Sequence, residues 1–371
     1  MTRIIEEKLD FDDVLIVPRR STLTSRNILL ERTFKFYHSS RVWNGFSLCI
    51  SNMDTTGVFA IAEQLYPKKI ITCLHKYYKT DDLIAYFKNG EMHNNYIRHK
   101  IPYVWISIGM DDNDIKKIQE FYNCTSYYPN ICIDVANGHL DSFVNYCAKV
   151  RNEFSDSIIL GGNICIPEMV QELIIHGGID IVKVGVGSSQ ICRTRTVSGV
   201  GFPQLSCIIE CTNVAHGLKN GDKRLGLVCS DGGCKTAGDV CKGFAANSDF
   251  VMIGGLVAGC ECCEGEWTYE PEVLILNNDC PWMGGQVTGK MKKKSLKFYG
   301  MSSYEAQEKH GGIKDYRASE GEVIQVPYKG PISKIIQEIQ GGLRTTCTMV
   351  GATQLKDLAK CTTFCKVRRQ K

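Results

Sequence analysis

Residues 181–206, IVKVGVGSSQICRTRTVSGVGFPQLS, decide how the chain is read. The stretch opens on Ile181-Val182-Lys183-Val184, an alternating apolar run that reads as a short buried strand. A loop rich in glycine and serine follows and carries Cys192. A strand that ends in such a loop is a common way for an α/β domain to present a nucleophile at its mouth. Glycine lets the backbone come close to a ligand, and free amides can face a phosphate or an ion. Arg193 and Arg195 flank the thiol and favour the reactive thiolate. The chain holds 19 cysteines, however, so Cys192 taken alone reads equally well as one buried thiol among many. Gly185-Val-Gly187 is no dinucleotide fingerprint, because Gln190 stands where the third glycine belongs.

Outward from this stretch the same pattern recurs. Apolar runs at 46–51, 70–74, 103–108, 131–133, 158–160, 225–228 and 250–253 join 181–184 to make eight candidate strands. Each closes on small or polar residues, such as Asn52-Met53-Asp54, His75-Lys76, Ser230-Asp231-Gly232-Gly233 and Gly254-Gly255. Most are separated by a stretch able to form one helix, such as 167–175 or 238–244. Continuous apolar strands alternating with helices imply a parallel sheet. Eight such units fit a (β/α)₈ TIM barrel better than a doubly wound sheet, with the polar strand ends on the face where barrel active sites lie. Residues 1–45 read as an arm packed on this single domain of 371 residues. Beyond Gly255 the period breaks. Residues 260–295 hold Cys260, Cys262, Cys263, Cys280, three glycines (Gly284, Gly285, Gly289) and the basic run Lys290–Lys294, and read as a mobile surface insertion. The cysteine spacing is not that of a set of C-x₂-C zinc pairs. A helix at 332–339, then Gly341-Gly342, and a second helix at 352–360 close the chain.

Apolar content of 43% and charged content of 23% belong to a soluble globular protein. A net charge of +4 leaves no broad basic face for nucleic acid, and the basic cluster at 366–371 reads as a solvated tail. The odd cysteine count, the charged start MTRIIEEKLDFDD and the lack of any apolar run of about 18 residues predict a reduced, cytoplasmic protein with no membrane span.

Several motifs then fall in one order. They are Cys192-Arg-Thr-Arg195, Ser198-Gly-Val-Gly-Phe-Pro-Gln-Leu-Ser206, Ser230-Asp-Gly-Gly233, Gly254-Gly255, Phe298-Tyr-Gly-Met-Ser-Ser303 and Tyr316-Arg-Ala-Ser-Glu-Gly321. With them, from Leu9 to Phe364, the chain resembles the IMP dehydrogenase and GMP reductase family. Two features resemble the reductase side. Only 26 residues separate Lys76 from Tyr103, too few for the regulatory domain that the dehydrogenases carry there, and 308–315 lacks their water-activating Arg-Tyr pair. Residues 21–26, 72–78 and 344–348 also look like the reductases. The alternatives are a dehydrogenase without its regulatory domain and a catalytically silent paralogue that binds purine nucleotides.

The resemblance implies NADPH-dependent reductive deamination of GMP to IMP and ammonia, through a thioimidate on Cys192, with Thr194 and Glu320 as acid/base residues. It implies substrate contacts from Asp231 to the ribose, from Gly232, Gly233, Gly254 and Gly255 to the phosphate, and from Gly300, Met301, Ser302, Arg317, Ala318, Ser319 and Gly321 to the base. For the cofactor it implies Ser25, Arg26, Lys76, Asp134, Val135, Ala136, Val186, Gly187, Tyr316, Thr345, Thr346, Cys347 and Thr348. It further implies a homotetramer, and potassium held by the carbonyls of Gly187, Ser189, Cys192 and Arg195. The chain departs from the family's GPGS loop at Gly187-Ser188-Ser189-Gln190, and Arg193 replaces a small hydroxyl residue. These changes leave room for a related purine nucleotide, such as a deoxynucleotide.

Overall fold

The structure is a computed structural model that describes residues 4–23, 28–88, 93–274, 286–312 and 318–367. Eight parallel strands close into a barrel: β1 (Leu48–Ile50), β2 (Ile71–Leu74), β3 (Val104–Ile108), β4 (Ile131–Asp134), β5 (Ile159–Ile164), β6 (Ile181–Val184), β7 (Leu227–Asp231) and β8 (Phe250–Ile253). All eight expected strands are barrel strands, and β8 pairs with β1 to complete the ring. Side chains alternate across each strand, so one set faces the helices and the other fills the barrel. Ile50, Val182 and Val228 belong to the outer set, whereas Trp105, Leu160, Ile181, Phe250 and Met252 pack together within. Cys49, Cys73, Cys132 and Cys229 share that inner cluster. Many of the cysteines are therefore small core residues.

The hairpin of Glu31–Lys35 and Val42–Phe46 adds Phe34, Phe36 and Trp43 to the inner cluster. The strand Val14–Ile16 pairs with Phe364–Lys366, joining the arm to the end of the chain. Helices follow the strands, and Ile332–Val350 packs against Ala237–Ala245 in the outer layer. This last helix corrects the expectation of a break at Gly341-Gly342. Its apolar row, Ile332, Ile336, Ile339, Leu343, Cys347 and Val350, runs through the glycines at helical spacing and is buried. Burial of that row outweighs the glycines' helix cost of about 1 kcal/mol each. The expected second helix at 352–360 is shorter, a 3₁₀ turn Leu355–Asp357 followed by Leu358–Cys361.

The described parts of the insertion include strand. β9 (Trp267–Leu274), β10 (Gln286–Tyr299) and β11 (Val323–Pro327) form a three-stranded antiparallel sheet. Cross-strand chemistry accounts for the lysine run: Lys292 and Lys294 lie 3.3 and 3.7 Å from Glu270, and the Lys293 ammonium sits 4.3 Å above the Trp267 ring. Cys280, Gly284, Gly285 and residues 368–371 lie outside the described residues. Among the described residues, no helix is long and apolar enough to cross a membrane.

Candidate active site

β6 delivers its loop to the mouth of the barrel, where Cys192 is partly exposed on the wall of a cavity of about 440 Å³. The Cys192 thiol lies 3.2 Å from Thr194 Oγ1, and Thr194 Oγ1 donates to Glu320 Oε2 at 2.7 Å. Because the threonine proton is committed to the carboxylate, the sulfur is the donor to Thr194. The result is a proton path from thiol to hydroxyl to carboxylate.

Backbone bonds hold this path in register. Arg193 N–H donates to Glu320 O at 2.6 Å, Glu322 N–H to Ile191 O at 2.8 Å and Glu320 N–H to Ser302 O at 3.2 Å. Cys192 and Gly321 form an isolated antiparallel bridge. Three segments therefore meet main chain to main chain: the Cys192 loop, the turn after β10 and the segment that enters β11. Only glycine fits where they touch. A Cβ at Gly300 would sit 2.8 Å from Ile191 O, and one at Gly321 would sit 2.6 Å from Ser303 N.

Another part of the cavity is electrostatic. Lys183 points into the barrel, only 1% exposed, and its ammonium contacts Asp134 Oδ1 and lies 3.0 Å from Asp231 Oδ2. Asn163 Nδ2 donates to the same Asp231 oxygen at 2.8 Å, and to Gly185 O at 2.8 Å. Burial pushes the Asp134 carboxyl up, but Lys183 more than offsets it, with help from Lys76 and Asn52, and holds it below the usual carboxylate range. Lys183 in turn is opposed by burial, yet the two aspartates raise it well above an ordinary lysine. Asp134 and Asp231 thus meet the cavity as oriented carboxylates.

Of the expected residues, the cavity wall brings together Cys192, Glu320, Asp134, Asp231, Gly232, Gly233, Gly254, Gly255, Gly300, Met301 and Ser302. Gly232 and Gly233 have φ of +79° and +81°, which a side chain would strain. Gln190 and Lys235 are on the wall as well. Ala318 is exposed, and Ser319 Oγ donates to Gly321 O at 3.3 Å. Val135 pairs with β5 through Gly162 O and Asn163 N–H, Ala136 is exposed beside it, and Val186 and Gly187 follow β6. Lys76 is half-buried after β2, close enough to Asp134 to help lower it.

The segment 345–348 is not brought to the cavity. Cys347 is buried between helices, and the Thr346 and Thr348 hydroxyls donate to Gly342 O and Arg344 O of their own helix. Ser25, Arg26, Tyr316 and Arg317 lie outside the described residues. The expectation that both arginines flank the thiol is corrected for Arg195. Its guanidinium pairs with Asp10 at 2.9 Å and with Phe202 O at 2.6 Å, against Gly187, and so ties the loop to the N-terminal arm. Of the carbonyls named for potassium, that of Ser189 accepts the Cys192 N–H at 3.1 Å.

Lys183, Asn163, Asp54 and the β11 residues on the wall were not among the expected site residues. Lys183 carried a signal, since a charge inside an apolar strand must find partners. Asp54, 4% exposed, accepts from Tyr299 OH at 2.7 Å, Lys309 Nζ at 2.9 Å and His310 Nε2 at 2.9 Å. It pins the helix Tyr304–His310 to the loop after β1. Among the described residues, no group of three or more His, Cys, Asp or Glu side chains has the geometry to hold a metal ion.

A protein-family model described as the IMP dehydrogenase / GMP reductase domain matches residues 8–370. The GMP reductase of Photobacterium profundum is 43% identical over 367 residues, 98% of this chain and 96% of its own length. GMP reductase 1 of Mus musculus is 43% identical over 365 residues, covering 98% and 96%. The GMP reductase of Phytophthora infestans is 43% identical over 368 residues, covering 98% and 92%. Since the matched region takes in every barrel strand and each segment that frames Cys192, the chain belongs to the IMP dehydrogenase / GMP reductase family.

Proposed function

We propose that this protein reduces GMP to IMP with release of ammonia, using NADPH and a covalent thioimidate on Cys192. The observation that carries the reading is the hydrogen-bonded path from Cys192 through Thr194 to Glu320. The amino group at guanine C2 leaves poorly, and covalent catalysis divides the reaction into two easier steps. Cys192 gives its proton along the path to Glu320 as its sulfur bonds to C2. Glu320 returns that proton through Thr194 to the departing nitrogen, which leaves as ammonia. NADPH, when bound, supplies the hydride that replaces sulfur at C2. The thiolate then takes a proton from water, so atoms and charges balance.

Asp231, oriented by Lys183 and Asn163, suits a pair of ribose hydroxyls. Gly232, Gly233, Gly254 and Gly255 offer main-chain amides to the phosphate, as late strands of such barrels do. Gln190 and Lys235 line the same cavity and can donate to the phosphate as well. Gly300, Met301 and Ser302, with Ala318, Ser319 and Gly321, would contact the base, and Arg317 is a further candidate. NADPH fits the Asp134 side. Asp134 lines the same cavity as Cys192, its carboxylate is kept ionised, and the buried Oδ1 of Asn163 has no partner among the described residues. Asp134, Val135, Ala136, Val186, Gly187 and Lys76 would hold it, with Ser25, Arg26, Tyr316 and 345–348 as further cofactor candidates. Potassium is left out, because the Arg195 guanidinium lies against Gly187 and opposes a second cation there. A homotetramer in the cytoplasm completes the proposal.

The test is NADPH consumption at 340 nm, with ammonia release, across ribo- and deoxynucleotides. GMP should turn over, Cys192→Ala should not, and denatured wild-type enzyme should carry a purine adduct on Cys192 by mass spectrometry. Turnover that survives Cys192→Ala rejects the covalent route. XMP formed from IMP and NAD would establish the dehydrogenase instead. Inertness toward every purine nucleotide would indicate a silent paralogue.

A further inference from the structure

We propose that Cys260 and Cys263 form a reversible dithiol, a modification site for peroxides that lies beneath the glycine turn of the nucleotide cavity. Its effect on nucleotide binding rests on the function proposed above; its chemistry does not. Three sulfurs gather there. Cys260 Sγ lies 3.4 Å from Cys263 Sγ and 3.5 Å from Cys262 Sγ. Cys263 N–H donates to Cys260 O at 3.1 Å, closing the C-x₂-C segment into one turn. A disulfide needs its sulfurs at about 2.05 Å and its Cβ atoms near 4 Å, and a turn that already holds the sulfurs in contact asks for little backbone movement.

The two thiols are unequal. The hydrogen bond with Cys260 draws the Cys263 thiol below its ordinary range despite burial. Cys260 is pushed up to about 12: the hydrogen bond with Cys262 draws it down, but the one with Cys263 and burial outweigh this. Cys263, 4% exposed where Cys260 is fully buried, is therefore the nucleophile and Cys260 the resolving thiol. The Cys263 thiolate attacks one oxygen of hydrogen peroxide, giving a sulfenic acid and hydroxide. Cys260 then attacks that sulfur and displaces water, with its own proton completing the water. The two sulfurs lose two electrons, the peroxide bond gains them, and a dithiol reductant reverses the change.

The link to the cavity is a short run of hydrogen bonds. Cys263 Sγ donates to Val257 O at 3.3 Å. Val257 and Ala258 N–H both donate to Gly254 O at 3.0 Å, and Gly254, Gly255 and Leu256 line the cavity. Lys329 spans the two sites. Its ammonium donates to Gly255 O and Leu256 O at 3.0 Å, and its main-chain N–H donates to Gly259 O at 2.9 Å. Disulfide formation draws Cys263 Sγ off Val257 O and loosens the turn that offers Gly254 and Gly255 to the phosphate.

The experiment uses the full chain, with Cys192→Ser to remove the site thiol. Protein treated with hydrogen peroxide is capped with N-ethylmaleimide, digested and mapped by mass spectrometry, before and after dithiothreitol. A reversible link between Cys260 and Cys263, two hydrogens lighter and free of maleimide, is expected. The Kd for GMP by calorimetry should rise about five-fold or more on oxidation, the low end for coupled sites. Cys262→Ser should still oxidise, and Cys263→Ser should not. Full maleimide labelling of 260 and 263 after peroxide, or a link from Cys260 to Cys262, overturns the assignment. An unchanged Kd in the linked protein overturns the coupling. If neither form binds GMP, the function proposed above fails, and the dithiol stands or falls on the mapped link alone.

Discussion

A lysine flanked by Val182 and Val184, facing the inside of a barrel, is tolerable only if its charge is met. Asp134 and Asp231 meet it, and they do so at the rim, where both carboxylates remain open to the cavity. Lys183→Met would leave two partly buried carboxylates without their cation, a loss of about 3–5 kcal/mol by analogy with broken buried pairs. Urea unfolding should show that drop; less than about 1 kcal/mol would mean that Lys183 is not what holds the aspartates. Glu320 tests a different idea. Its main chain is fixed by Arg193 N–H and Ser302 O, so Glu320→Gln should keep the fold and remove only proton transfer. With the proposed substrates, kcat should fall by about 10²–10⁴ while KM for GMP changes little. A variant with wild-type kcat would remove Glu320 from the proton path.

At the scale of elements, the site depends on β10 and β11 as much as on the barrel. β10 ends by placing Gly300 against Ile191 O, and β11 begins just after Gly321, which bridges to Cys192. Gly321→Ala puts a methyl 2.6 Å from Ser303 N and 2.8 Å from Gly300 O, both main chain, so neither neighbour can swing away. The expected result is a loss of about 1–3 kcal/mol and a fall in turnover as Cys192 and Glu320 separate. Gly341→Ala is the contrast. That glycine is exposed within Ile332–Val350 with nothing within 4 Å of its added Cβ, so alanine should stabilise the helix by about 0.5–1 kcal/mol. Thermal unfolding of the pair separates the two roles of glycine; equal effects would refute the packing argument. Both helical glycines look like a break in sequence, because the long-range burial of Ile339, Leu343 and Cys347 is invisible there. The β9–β10 hairpin was hidden for a related reason. Its lysines are paired across strands with Glu270 and Trp267, and a local window cannot supply the partner strand.

Across the whole molecule, the legible part is what repeats. The inner and outer sets of 131–133, 181–184 and 250–253 are buried on both sides, so their apolar runs mark strands with no tertiary knowledge. Cys192, Thr194 and Glu320 were reachable through a resemblance of motifs, but not Lys183 or Asp54, whose meaning depends on groups far along the chain. Those hidden carboxylates also set the response to acid. Asp54 is pushed up by burial but more strongly pulled down by its bonds from Lys309, His310 and Tyr299. Asp249 is likewise opposed by burial and lowered by His216 and Arg32, and Asp134 is lowered by Lys183. Each has a folded pKa below its unfolded value of about 3.9. Their contribution is therefore complete above that value and is lost as pH falls through the lower folded values. Lys183, raised above about 10.4, acts in the opposite sense: its share is complete below that pH and is lost only as pH rises through a still higher value. Stability from these groups should be level between about pH 5 and 9, then fall steeply below about pH 4. The urea midpoint measured from about pH 3 to 9 checks this. Lys183→Met should have a shallower acid limb, because Asp134 no longer begins from a depressed pKa. A midpoint that already declines between about pH 7 and 6, or an acid limb unchanged in the variant, would show that charges other than these buried carboxylates govern the response.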